Sequence, residues 1–171
     1  MSMMVQEMTE LFNRAWQDID LNRLLYYKDT PLSPDLPNVQ ELDNYFEPTP
    51  DEKTSIFKTI FKRAAKTNDL TDDKPICRVC IYFGISSPLP PHLSEKVLER
   101  DLHFDVYTHI DTFEENEFRS LKIIDRLSKI YLGKNVAGYG KTQFVRGQPI
   151  ANPPSGYTGY KLIFKIGGQK W

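Results

Sequence analysis

The segment LHFDVYTHI, residues 102–110, places the tightest limit on the fold. Its even positions Phe104, Val106, Thr108 and Ile110 are largely apolar, and its odd positions His103, Asp105, Tyr107 and His109 are polar. Side chains of a strand point alternately to the two faces, so this segment is a strand with one face toward a core. TFEENEFRSLKIIDRLSKIYLG follows at once with a different period. Phe118, Leu121, Ile124, Leu127 and Tyr131 recur at helical spacing, Ile123 and Ile130 widen the stripe, and Gly133 marks the stop. Thr112 and Glu115 fit a capping box. Arg119, Lys122, Arg126 and Lys129 fall on or beside the opposite face, which predicts a solvent-facing basic row.

Three more strands are expected around this pair. ICRVCIYFG reads as a strand from Ile76, NVAGYGKTQFV as one over 135–145, and residues 157–166 as a third. In the last, Tyr160, Leu162, Phe164 and Ile166 alternate with Gly159, Lys161 and Lys165. At the other end, Met4, Met8, Leu11, Phe12, Ala15 and Ile19 form a helical stripe, and Asp20 is positioned to cap a short turn holding Leu24 and Leu25. Pro31, Pro34 and Pro37 then forbid helix interior, and residues 38–53 read as loop with a short turn at 39–43. TSIFKTIFKRAAK, residues 54–66, fits either period; a strand is the expectation, with a hairpin to the next strand as one way of placing it. SSPLPPHLSEKVLER, residues 86–100, reads as a loop with a short helical end. The fold class is therefore α+β: an antiparallel or mixed sheet of four to five strands, with an N-terminal helix and one central amphipathic helix packed on one face. A length of 171 residues suits one domain, with residues 1–75 as helix and long loops and residues 76–171 as the sheet-and-helix core.

Charge is strongly segregated along the chain. Residues 1–125 hold 14 Lys/Arg and all 23 Asp/Glu, whereas residues 126–171 hold eight Lys/Arg and no acid. This suits a basic surface for nucleic acid or an acid-to-base contact between copies, unless folding intermixes the two sets. No apolar run approaches the ~20 residues that span a bilayer. Glu7 and Glu10 interrupt the N-terminus where a signal peptide would be apolar. Synthesis in the cytoplasm, without a membrane partner, is expected.

Candidate chemistry is sparse. Cys77 and Cys80 have C-x-x-C spacing, but three residues along a strand point to opposite faces, so the thiols diverge. Gly138-Tyr139-Gly140-Lys141-Thr142 lacks the earlier glycine of a phosphate loop and leads into a strand rather than a helix. His103, Asp105, Tyr107 and His109 share a face that would suit a protein contact better than catalysis, because no nucleophile motif accompanies them. Asp72, Asp73, Asp101, Asp105 and Asp125 are the acids available to a Mg²⁺ nuclease, and their spacing singles out no pair. Tyr139, Tyr157 and Tyr160 beside glycines and lysines suit either base stacking or an interface. No cofactor site and no metal site is expected.

The order of FDVYTH, then Arg119, Lys122, Ile123, Ile124, Asp125, Arg126 and Leu127 on one helix, then Gly133 to Gly140, then GYTGYKLIFKI, resembles tailed-bacteriophage tail terminator (tail completion) and related neck proteins. The resemblance covers about residues 76–171, and LLYYKDTPLSPDLP is similar less specifically. It implies a virion subunit at the tail–neck junction, assembled as a homohexameric ring. Such a ring caps the tail tube, meets neck or connector proteins and passes double-stranded DNA through its lumen. The family is structural, so it implies no catalytic residues. Arg119, Lys122, Asp125 and Arg126, with the polar face His103, Asp105, Tyr107 and His109, are then the interface or lumen candidates. A Mg²⁺-dependent DNA-processing enzyme and a DNA-binding accessory protein are the alternatives.

Overall fold

The computed structural model describes residues 3–88, 98–136 and 140–167. Its elements in chain order are α1 (Met3–Gln17), α2 (Ile19–Tyr26), a 3₁₀ turn (Val39–Glu41), α3 (Ile56–Ile60) and β1 (Phe61–Lys62). There follow β2 (Cys77–Pro88), β3 (Leu98–His109), a π-helical turn (Ile110–Glu114), α4 (Glu115–Glu117), α5 (Arg119–Tyr131), β4 (Gln143–Pro149) and β5 (Tyr157–Ile166). The five strands form one mixed sheet in the order β1-β2-β3-β5-β4, with β1 parallel to β2 and the other pairs antiparallel. This is the expected α+β fold.

One sheet face carries the core. Leu102, Phe104 and Val106 of β3, Cys77, Val79 and Ile81 of β2, and Leu162, Phe164 and Ile166 of β5 are all buried there. Leu11, Phe12 and Ala15 of α1, Leu21, Leu24 and Leu25 of α2, and Ile123, Leu127 and Tyr131 of α5 cover them. Burial of this apolar surface, at roughly 25 cal/mol per Å², is the main drive for the layering. The alternation read in β5 is realised on this face, and that read in β3 holds as far as Thr108; Ile110 falls past the strand, in the π-helical turn.

The opposite face departs from expectation. Asp105, Tyr107 and His109 are buried, and only His103 is half-buried. Part of the chain before β2 folds across them and places Leu70 in a second small cluster with Cys80, Tyr107 and Tyr157. Polar bonds hold it there. Arg78, fully buried, donates Nε to the Thr59 carbonyl (2.9 Å) and grips Asp69 with two nitrogens at 2.7 and 2.8 Å. His109 Nε2 lies 2.8 Å from Asp72 Oδ1, and its Nδ1 accepts the Thr112 N–H, so Nε2 carries the proton. The Tyr157 hydroxyl lies 2.9 Å from the Lys74 carbonyl and accepts the Ile76 N–H at 3.2 Å.

Other local expectations need correction. Residues 56–62 are a short helix leading into a two-residue strand, because Ser55 caps the helix through Lys58 N and Phe61 then turns extended to pair with Val79. Asp18, not Asp20, caps α2, accepting from Leu21 N at 2.8 Å. β4 starts at Gln143, later than expected, and Leu98–Arg100 extend β3 where a helical end was expected. The rest of the expected loop, residues 89–97, lies outside the described residues, as does Tyr139.

The central helix is not continuous. Phe118 adopts a left-handed backbone (φ 52°, ψ 50°), which separates α4 from α5 and resets the helical phase. The capping box at Thr112 is absent; Glu114 instead accepts from Ser120 N and Ser120 Oγ at the start of α5. Arg119, Ile123, Leu127 and Tyr131, each four apart, are the residues of α5 that are fully buried, while Phe118 and Leu121 are exposed.

Two outcomes are expected. Arg119→Met should cost about 3–5 kcal/mol in urea unfolding, because it leaves the buried Leu24 carbonyl and the part-buried carbonyls of Tyr27 and Lys28 without their donor. The Arg78 guanidinium, by hydrogen bonding, holds the Asp69 carboxyl down at about 2, below its ordinary 3.8. The folded state favours the ionised form, so that contribution is complete above about pH 4 and is lost as pH falls toward 2. Asp69→Asn should remove that part of the acid dependence of unfolding, and an unchanged slope would contradict it.

Candidate assembly surfaces

Most of the residues singled out by sequence prove to be internal fastenings. Arg119 was expected on the outer face of its helix. It is instead fully buried and donates to the carbonyls of Leu24, Tyr27 and Lys28 at 2.6, 2.6 and 2.8 Å, and to Glu117. The physical reason is the phase reset at Phe118, which turns position 119 inward toward the end of α2. Lys122 binds Glu117 at 2.6 Å, and Asp125 binds Lys129 at 2.7 Å on the exposed side. Arg126 reaches back to α2, donating to both oxygens of Asp18 at 2.9 and 2.7 Å, with Asp20 at 3.3 Å. Asp18 thus caps one helix and clamps another.

Asp105 accepts from the Tyr82 hydroxyl at 2.6 Å, and Lys161 Nζ donates to that hydroxyl at 2.9 Å. The Asp105 Oδ1 atom lies 3.3 Å from Lys161 Nζ without hydrogen-bond geometry. His103 packs edge-on against Tyr82, and its Nδ1 has no hydrogen-bond partner. Burial, and then Lys161, hold the His103 imidazole below its ordinary pKa, so it is neutral at pH 7. Burial and Asp105 push the Tyr82 phenol well up. A neutral imidazole and a protonated phenol around one ion pair form a structural network on the sheet.

The thiols are placed as their spacing predicts. Cys77 lies in the main core and Cys80 in the smaller cluster across the sheet, both free. Burial raises Cys80 to about 11 and Cys77 further, which suppresses thiolate chemistry. Thr142 turns inward to bond the Tyr131 carbonyl, so Lys141-Thr142 is a strand entry and no phosphate cradle. Among the described residues no group of three or more His, Cys, Asp or Glu converges. Asp72 and Asp105 are tied to His109 and Tyr82, and Asp125 pairs with Lys129.

The charge segregation partly dissolves on folding. Arg126, Lys129, Lys161 and Lys165 pair with Asp18, Asp125, Asp105 and Glu99 of the same chain. Lys134, Lys141 and Arg146 remain exposed, with no ion pair among the described residues.

Several apolar side chains are exposed as well, a signal that residue type alone did not reveal. Phe118 is 70% exposed and Leu121, three residues on, is 57% exposed, giving α5 an apolar shoulder. Phe144 and Val145, 52% and 45% exposed, stand on β4, which among the described residues pairs with β5 alone and is bulged between Phe144 and Arg146. Phe46, 50% exposed, lies against Trp16, Tyr45 and Phe57 at ring distances of 5.4, 4.7 and 5.5 Å. A cleft of about 1060 Å³ opens between α2, the 51–54 loop and the 74–76 loop, floored by Ile56, Ile60 and Phe113. Exposed aromatic and aliphatic side chains grouped in this way mark interaction surfaces.

Comparison with known proteins agrees with a phage origin. The chain matches the YomW family over residues 18–166. It is 54% identical to the SPbeta prophage-derived uncharacterized protein YomW of Bacillus subtilis (strain 168), over 170 residues spanning 99% of this chain and 100% of that protein.

Phe118 yields a direct test of whether its strain serves a surface. A left-handed backbone is costly for a residue with a Cβ. Phe118→Gly should therefore raise stability by about 1 kcal/mol in denaturant unfolding. A loss of stability would show that the ring is needed by the fold itself.

Proposed function

This chain belongs to the YomW family, and on that footing we propose that it is a structural virion protein of a tailed phage, at the tail–neck junction, with no enzymatic activity. Its prophage-derived relative gives the phage setting. The observation that carries the structural role is the set of apolar surfaces left open on different sides of one small fold. Phe118 and Leu121 stand on a helix layered over the sheet, and Phe144 and Val145 stand on an edge strand. A ring requires heterologous contacts, in which one surface meets a different surface of the neighbour, and separate patches supply that. The order of strand, helix and two strands that resembles tail terminators is present in this fold.

The proposed assembly is a homohexameric ring that caps the tail tube and meets neck or connector proteins on its other side. Double-stranded DNA passes through the lumen without sequence-specific contact. Lys134, Lys141 and Arg146, exposed and without ion pairs among the described residues, are the cations available to line it. Assembly takes place in the host cytoplasm. Arg119 takes no part in these contacts, so reversing its charge tests folding rather than assembly. Nothing in the geometry favours a Mg²⁺ nuclease over this reading: among the described residues no three acids or other metal ligands converge, and Asp72, Asp105 and Asp125 sit in separate local pairs.

Light scattering of the purified protein across concentration and salt, with negative-stain images of the same fractions, should show a species of about six subunits with a central hole. Antibody against the chain should label particles at the junction between head and tail. Labelling absent from intact particles, together with Mg²⁺-dependent DNA cleavage by the purified chain, would replace this reading with the enzymatic one.

A further inference from the structure

Two corners of the fold complement each other. The first is the outer corner of β4. Phe144 and Val145 are exposed there, Arg146 follows the bulge, and Lys141 stands just before the strand. No acid occurs anywhere from residue 126 onward in the sequence. The second corner is the loop that leads into α3. Phe46 projects from an aromatic platform of Trp16, Tyr45 and Phe57. Along the same stretch of chain Glu41, Asp43, Glu47, Asp51 and Glu52 are all exposed, Glu47 next to Phe46 in sequence, and none makes an ion pair among the described residues. Lys53 is the one base in that loop. On α3 and β1 beyond it, Lys62 turns back to the Lys58 carbonyl and Arg63 lies over the Phe12 ring, 4.8 Å from its centroid.

The sheet separates the two corners. β4 is one edge, and the loop is fastened to the other side: Ile56 N and Phe57 N bond the carbonyls of Asn44 and Tyr45, and α3 runs straight into β1. Four strand spacings of about 4.8 Å put the edges roughly 19 Å apart. A chain cannot bring its own two corners together across that distance. Any contact between the two corners is therefore one between copies. Each corner has an apolar centre and a charged rim, and the rims are of opposite sign, the arrangement that gives both affinity and orientation.

We propose that the β4 corner of one copy, with Phe144, Val145, Arg146 and Lys141, seats on the Phe46 platform and its acidic loop in a second copy. The inference rests on the assembly reading above and names its lateral contact. The contact is head-to-tail, so each added copy leaves one corner of each kind free, and a ring closes when the rotation per step allows it. The bulge at Val145 keeps β4 from extending as a flat ladder into the neighbour, so side chains rather than strand pairing set the register.

Cysteine pairing tests it. Val145→Cys and Phe46→Cys change exposed positions, and the native Cys77 and Cys80 are buried. An equal mixture of the two variants under mild oxidation should give a mixed disulfide between positions 145 and 46, identified by peptide mass spectrometry. The double variant should give a ladder of covalent oligomers. In parallel, the pair K141E/R146E and the pair D43K/E47K should each weaken self-association at least roughly tenfold, and mixing the two proteins should restore it. Homodisulfides alone, no disulfide, or no rescue on mixing would overturn the contact. Rings that form normally in both charge-reversed proteins would sink this contact while leaving the ring. A mixed disulfide in a protein absent from virions would do the reverse.

Discussion

Backbone carbonyls in loops and at the ends of helices need partners, and in this protein arginine supplies several of them. The chain between α2 and β2 contains little regular structure, yet it is packed against the sheet. Arg23 donates to the carbonyls of Ser33 and Leu36 and so closes the proline-bearing turn. Arg78 holds the carbonyls of Thr59 and Lys66 and the carboxylate of Asp69. Arg119 collects three carbonyls at the end of α2. Five N–H donors in a planar fork suit this task in a way that no other side chain does. Burying a guanidinium is costly when its donors are unmet, and here most are met by oxygens that would otherwise be unmet themselves. The irregular half of the molecule and the regular half are thereby one structure.

That explains where sequence and structure agree. β5 and the core face of β3 were legible because alternation of apolar side chains is a local signal, and burial enforces it. α1 was legible for the same reason at helical period from Met8 to Ala15, although Met4 at one end of the predicted stripe is exposed and Ile19 at the other is exposed and opens α2 instead. The phase of α5 was not. Phe118 has the type of a core residue and sits at a core spacing, but the left-handed turn there is settled by Glu114 bonding Ser120 and by Arg119 reaching α2, contacts to which periodicity is blind. The polar face of β3 was misjudged in the same way. Asp105, Tyr107 and His109 look like solvent-facing residues until a distant segment brings Leu70 and Asp72 over them. Polar residues can be buried when their partners arrive from far along the chain, and single-sequence reading sees no such arrival.

The candidate site was legible only in outline. Charge segregation pointed to opposed surfaces, and half of the C-terminal cations named as the basic set then turned out to be paired within the chain. The residues that remained open were not those picked for chemistry. Phe46, Phe144 and Val145 are ordinary core formers by type, and only their exposure distinguishes them. On the assembly reading proposed above, this is the expected inversion: ionisable groups stabilise the fold, and exposed apolar groups are left for neighbours.

Fastening loops through arginine has an evolutionary corollary. A guanidinium that binds main-chain oxygens recognises the path of a loop and is indifferent to the letters along it. Residues between two anchored carbonyls can be exchanged while the path is kept, provided the arginine stays. A fold built this way can renew its outer skin without redesigning its interior, and the arginines mark the positions where such drift must stop.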